Sequence, residues 1–130
     1  MSGNFKVGDT FTHVRDCDRY RAICYAGASG DFNPIHIDGE VGKAAGLGGA
    51  ILQGLCTMAW ATEAAALYLG DAARIRRVRV RFSRPVAVED TITVVGRVVR
   101  FEEGLLVAEL AARNQRGEEV LVGGIVEARA

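Results

Sequence analysis

Apolar and polar positions follow two different periods along this chain, and the change falls near Arg74. Between Gly54 and Leu69 the alanines Ala59, Ala61, Ala64, Ala65 and Ala66 favour helix, and Gly70-Asp71 ends the run. Leu55, Met58, Trp60, Leu67, Tyr68 and Leu69 share no single stripe, which predicts a helix buried on most of its sides. Beyond Arg74 the period is two. Val78, Val80 and Phe82 alternate with Arg77, Arg79 and Arg81, giving a strand with one core face and one polar face, broken at Arg84-Pro85. Further strands are expected over Thr91–Phe101, Leu105–Ala112 and Val120–Val126. Glu102-Glu103-Gly104 and Asn114-Gln115-Arg116-Gly117 supply the hairpin turns between them.

The first half is less regular. Lys6-Val7-Gly8-Asp9 reads as a turn before an extended piece at Phe11–Val14. Asp16 or Asp18 is placed to cap a helix through Tyr20, Ile23 and Cys24 that ends near Gly27. A loop follows over Ser29–Asp38, then one short helical turn within Gly39–Ala45. One long buried helix followed by consecutive antiparallel strands predicts an α+β domain over residues 1–130, its sheet wrapped around the helix. A lone sheet of this size leaves edge strands open, so a homodimer is expected.

Composition removes several classes of function. The chain has 130 residues, 49% of them apolar and 25% charged, the profile of a soluble domain with a sizeable core. Sixteen basic and sixteen acidic residues cancel, so nothing favours nucleic acid or an anionic membrane surface. Cys17, Cys24 and Cys56 have no metal-ligand spacing and are odd in number, which suits free thiols in a reducing cytoplasm. Met1–Asp9 lacks the cationic-then-apolar order of a secretion signal, and no apolar run is long enough for a membrane span.

The chemistry concentrates in Ser29–Asp38, which holds one of the two histidines, two acids and an Asn-Pro pair. Gly30 tolerates unusual dihedrals and Pro34 pushes Asn33 out of the helical region, so a tight turn can bring Asp31 and His36 to one side of the chain. A carboxylate beside an imidazole suits the addition or removal of water. The structural alternative is that Asp31 and Asn33 merely cap local amides.

Tyr25-Ala26-Gly27-Ala28-Ser29-Gly30-Asp31-Phe32-Asn33-Pro34-Ile35-His36-Ile37-Asp38 resembles the signature of the MaoC-like, R-specific enoyl-CoA hydratases (hydratase 2) and the related R-3-hydroxyacyl-ACP dehydratases. Gly48-Gly49-Ala50-Ile51-Leu52-Gln53-Gly54-Leu55, leading into the apolar helix, resembles a second feature of that family. The resemblance implies a hotdog fold and hydration of trans-2-enoyl thioesters, or the reverse dehydration, with no metal and no redox cofactor. It implies a paired assembly and acyl-CoA or acyl carrier protein thioesters as substrates. It makes Asp31 and His36 the water-holding pair, with Asn33 and Ser29 in support, and Gly54 the donor to the thioester oxygen through its backbone N–H. The start of a helix is a sound place for such a donor, since its amides lack intrahelical partners and its dipole favours negative charge. Thr62 aligns with a hydroxyl lining the family's pocket, and Trp60, Met58 and Leu55 are expected along the acyl tunnel.

Gln53 departs from the family pattern, which commonly has His there; glutamine can hydrogen-bond but cannot titrate. Cys56 sits in the first helical turn, where a thiolate is favoured, yet buried cysteine usually acts as a small apolar residue. Arg79, Arg81 and Arg84 belong to a basic strip that is either a solvated sheet face or a dock for coenzyme A phosphates or an acidic carrier. His13 carries no argument of its own. Two rival functions remain open: a hotdog thioesterase using Asp31 or Glu63 to direct water at the carbonyl, and a non-catalytic partner of a heterodimeric dehydratase. Acyl length, carrier and physiological direction are not legible in the sequence.

Overall fold

A computed structural model describes residues 4–130, so the first three positions of the expected domain and of the Met1–Asp9 stretch lie outside the described residues. Five antiparallel strands form one sheet: β1 (Thr10–Asp16), β2 (Ile75–Phe82), β3 (Thr91–Glu102), β4 (Leu105–Arg113) and β5 (Glu119–Arg129), in the spatial order β1-β3-β4-β5-β2. Three helices lie in the first half: α1 (Arg21–Ser29), the short α2 (Gly39–Ala44) and the long α3 (Gly54–Leu69). This is the expected α+β arrangement, a hotdog fold with α3 as its central helix. Among the described residues no helix is long and apolar enough to cross a membrane.

The period-two pattern sorts the sheet as it should. Ile92, Val94 and Val98 of β3, Leu106, Ala108 and Leu110 of β4, and Val120, Leu121 and Val126 of β5 are buried against Trp60, Ala61, Ala64, Ala65 and Leu69 of α3. The alanines let helix and sheet approach closely. The helix is not enclosed, however: Leu55 and Leu67 are 62% and 63% exposed, so one side of α3 faces away from the sheet. Its uniformly apolar pattern concealed which side that would be.

Three local expectations shift. The expected Asp16 or Asp18 cap of α1 is replaced by Tyr20 at the N-cap position; Asp18 instead accepts from the Tyr20 N–H (2.8 Å), one turn earlier, and Asp16 lies in β1. The helix runs past Gly27 to Ser29 and ends at Gly30, whose φ of 80° supplies the left-handed C-cap. On β5, Gly123 (φ 58°) takes up an extra residue, so that Arg79 pairs with Ile125 but Arg81 with Val122. Phe82, expected in the core, follows this register shift and is 50% exposed.

At the far edge, β1 is held to the core by aromatic packing. Phe11 stacks on Tyr68 at 4.7 Å between ring centres, and the Tyr68 hydroxyl donates to Asp9 (2.6 Å). Gly96, directly opposite Phe11 in the β1–β3 register, leaves the space its ring occupies: a Cβ there would overlap the ring atoms. Gly96→Ala should therefore displace the ring and unstack Tyr68, costing about 1–3 kcal/mol as overpacking does. Chemical denaturation of the two proteins measures this difference.

Candidate active site

Local hydrogen bonds fold the Ser29–Asp38 stretch into the turn that Gly30 and Pro34 predict. The Ser29 hydroxyl donates to Tyr25 O (2.7 Å) and accepts from the Asp31 N–H (3.1 Å). Asp31 Oδ1 accepts from Asn33 N–H (3.3 Å), and Asn33 Oδ1 accepts from Ile35 N–H (3.2 Å). Each short polar side chain thus caps the next amide, and Pro34–His36 close into a single 3₁₀ turn. The capping role does not exhaust Asp31, because its second oxygen remains free of backbone donors.

That oxygen faces His36. Asp31 Oδ2 and His36 Nε2 are 3.5 Å apart, with the histidine almost buried and the aspartate half exposed. On the other side of the ring, Nδ1 lies 2.8 Å from Ile51 O. A carbonyl only accepts, so Nδ1 carries a proton, and in the neutral form of the ring the Nε2 lone pair points toward Asp31. In that form two acceptors face each other; they cannot hydrogen-bond directly but can share one water donating to both.

The Ile51 carbonyl is itself fixed. Ile51 N–H donates back to Ile35 O (3.0 Å), and Leu52 N–H donates to Val86 O (2.8 Å). The turn is therefore clasped from both sides to the segment that leads into α3. Gln53, the N-cap residue, is 2% exposed, and its Nε2 donates to Ala22 O (2.9 Å) and Asp31 O (3.4 Å). Its side chain ties α1, the Asp31 backbone and the start of α3 together, while its Oε1 is buried without a partner. Gly54 follows as the first helical residue, so its N–H has no intrahelical acceptor.

His36 and Gly54 line one cleft of about 300 Å³, together with Ile51, Leu52, Thr57, Phe82, Val86 and Val120, and with Ser83, Arg84 and Pro85 beside them. Thr57, one turn after Gly54 and 2% exposed, was not singled out from the sequence. Its i+3 spacing from Gly54 was the available signal, masked by the larger apolar neighbours. Leu55, Met58 and Trp60, expected along an acyl tunnel, are not among the residues lining this cleft: Trp60 packs in the core and Leu55 is exposed. Thr62 lies outside the cleft and donates its hydroxyl to Met58 O (2.9 Å), bonding its own helix.

The basic strip divides. Arg84 stands at the cleft and pairs with Glu118 (3.4 Å), whereas Arg79 and Arg81 line concavities on the outer face of the sheet. Glu63 is also remote from the cleft lining. Burial pushes its pKa up, but hydrogen bonds from Arg15 (2.9 and 3.0 Å) and His13 outweigh this and leave it below the usual carboxylate range. A carboxylate held by a guanidinium in this way is a weak base, which removes Glu63 as a water-directing group. Burial likewise pushes the Cys56 thiol up, against the pull of Arg21 and Arg15, so the first-turn position does not make it a thiolate.

Known proteins share both the sequence and the fold. A peroxisomal multifunctional enzyme type 2 from Drosophila melanogaster is 35% identical over 101 residues, which is 76% of this chain and 16% of the fly protein. A peroxisomal enoyl-CoA hydratase 2 from Arabidopsis thaliana is 34% identical over 97 residues, 73% of this chain and 30% of the plant protein. This chain thus spans less than a third of either relative. The R-hydratase PhaJ1 from Pseudomonas aeruginosa, unliganded, superposes with a TM-score of 0.89 at 24% identity over 97% of this chain and 82% of that one, which is a likeness of fold. The MaoC-like domain matches residues 6–118, taking in the clasped turn, Gln53-Gly54, α3 and most of the sheet, and the chain belongs to that family.

Proposed function

We propose that this protein adds water across trans-2-enoyl thioesters to give R-3-hydroxyacyl thioesters, or runs the same reaction backwards. The observation that carries the proposal is the pairing of His36 Nε2 with a free Asp31 oxygen at 3.5 Å, beside a cleft that His36 and Gly54 both line. One water is held by the two acceptors. As its oxygen bonds to C3 of the enoyl group, His36 or Asp31 takes one of its protons. The C2–C3 π electrons move toward the thioester, whose oxygen gains negative charge beside the Gly54 N–H and the α3 dipole. The enolate then collapses as a proton is delivered to C2 from the pair, which restores its starting protonation. The reaction needs no redox step.

Asn33 and Ser29 act through the turn that positions Asp31, and Gln53 through the backbone it ties. Arg84, at the cleft and partly neutralised by Glu118, is the residue placed to meet a phosphate of coenzyme A. Arg79 and Arg81, on the outer face, are suited to an acidic carrier protein. The thiols of Cys17, Cys24 and Cys56, all free, agree with a reducing compartment, in our reading the cytoplasm. β2 is an edge strand eight residues long, and pairing with a second copy would cover it.

Asp31→Asn and His36→Ala should each lower turnover of crotonyl-CoA by about two orders of magnitude or more while the fold persists, as loss of a general acid–base group does. Because both act on one water, the double variant should be little worse than the poorer single one. Wild-type turnover in either variant, or additive losses in the double, would remove the pair from the mechanism.

Gln53 gives a separate prediction. Gln53→Ala should lose about tenfold or less, the size of one modest hydrogen bond. Gln53→Glu sets an ionised carboxylate against the two carbonyls that Gln53 now satisfies. It should be worse than alanine near neutrality and recover relative to wild type as pH falls and the acid regains a proton to donate. A pH–rate profile of the three proteins measures this.

A further inference from the structure

The walls of the cleft are unequal. Its floor is made by Leu52, Thr57, Val86 and Val120, each 3% exposed or less. Their backbones are cross-tied: Leu52 N–H donates to Val86 O (2.8 Å), and Ser83 N–H donates to Val120 O (3.0 Å). A floor packed into the core at this density does not recede to admit more ligand without disturbing the fold. Phe82 is the exception. It ends β2 just beyond the bulge opposite Gly123, and half its surface is open to solvent.

The ring lies against Gly54. A Cβ placed on Gly54 would stand 3.2 Å from Phe82 Cε1 and 3.4 Å from two further ring atoms. Phe82 thus packs on the residue whose N–H is proposed to serve the thioester oxygen, and it borders the cleft that His36 also lines. The cleft, at about 300 Å³, is at the small end of ligand cavities, and it must hold the thioester and a water as well as the acyl chain. Opposite the fixed floor stand the exposed residues Phe82, Ser83, Arg84 and Pro85, of which Phe82 carries the one aromatic ring.

We infer that Phe82 sets the acyl length this site accepts, and that its substrates are short-chain enoyl thioesters. The inference rests on the hydratase reading above and names the substrate class for that site. Each further methylene of a longer chain must either displace the Phe82 ring or remain in water. Discrimination of one methylene in an apolar pocket is commonly about tenfold or more, which sets the scale expected here.

The test compares kcat/KM for crotonyl-CoA and trans-2-octenoyl-CoA in the wild type, Phe82→Ala, Phe82→Leu and Phe82→Trp. The wild type should prefer the four-carbon substrate by about tenfold or more. Phe82→Ala should narrow that ratio by a similar factor, chiefly through better use of octenoyl-CoA, and Phe82→Trp should widen it. Phe82→Leu, which keeps an apolar contact on Gly54, should fall between wild type and alanine and serves if the alanine protein does not fold. Equal use of the two substrates by the wild type, or a ratio that no substitution moves, would overturn the inference while leaving the hydratase reading intact. Hydration of neither substrate by a folded wild type would overturn that reading, and this inference with it.

Discussion

The hydrogen bond from His36 Nδ1 to the Ile51 carbonyl is the constraint on which the site depends. It fixes the tautomer of the imidazole, and so makes Nε2 the basic nitrogen. It also joins two parts of the chain that are 15 residues apart and otherwise connected through α2 and a glycine-rich loop. With the reciprocal bond from Ile51 N–H to Ile35 O, it holds the Asp31–His36 turn at a set distance from the start of α3. The proposed acid–base pair and amide donor are thereby placed by one clasp. In the proposed mechanism a shift of about an ångström in either would weaken catalysis sharply, because both act at one substrate.

Around that clasp the fold supplies rigidity. The start of α3 is held by the buried Gln53 side chain, and its length lies on a sheet whose inward residues are almost fully buried. The glycines have distinct tasks. Gly30 turns the chain out of α1 toward Asp31, Gly96 makes room for the Phe11 ring, and Gly54 allows Phe82 to lie close to the helix start. Gly54 without a side chain therefore lets that ring form one wall of the cleft.

Much of this was legible in the sequence, and the divisions have physical causes. The alanine-rich run from Gly54 to Leu69 and the hairpin turns marked by Gly104 and Gly117 depend on local propensity and period, and these elements formed where the pattern placed them. The turn chemistry of Ser29–Asp38 is equally local. What could not be read was direction. A helix apolar on all sides does not reveal which face its sheet covers, so Trp60 and Leu55 were expected together although one is buried in the core and the other is exposed. Strict alternation put Phe82 in the core and Arg79 and Arg81 on one polar face, with Arg84 grouped beside them as a basic strip; in the structure Phe82 is half exposed, and Arg84 stands at the cleft apart from Arg79 and Arg81. The partners of Gln53, in α1 and at Asp31, lie 31 and 22 residues away and leave no periodic trace.

The central claim is that the His36–Asp31 pair directs water to carbon 3 of an enoyl thioester rather than to its carbonyl. Incubation of the wild-type protein with crotonyl-CoA, following enoyl absorbance and free thiol together and then resolving the product by chirality, tests this directly. The account predicts loss of the enoyl absorbance, no thiol release, and R-3-hydroxybutyryl-CoA as product. Release of free coenzyme A without hydration, or formation of the S enantiomer, would contradict it.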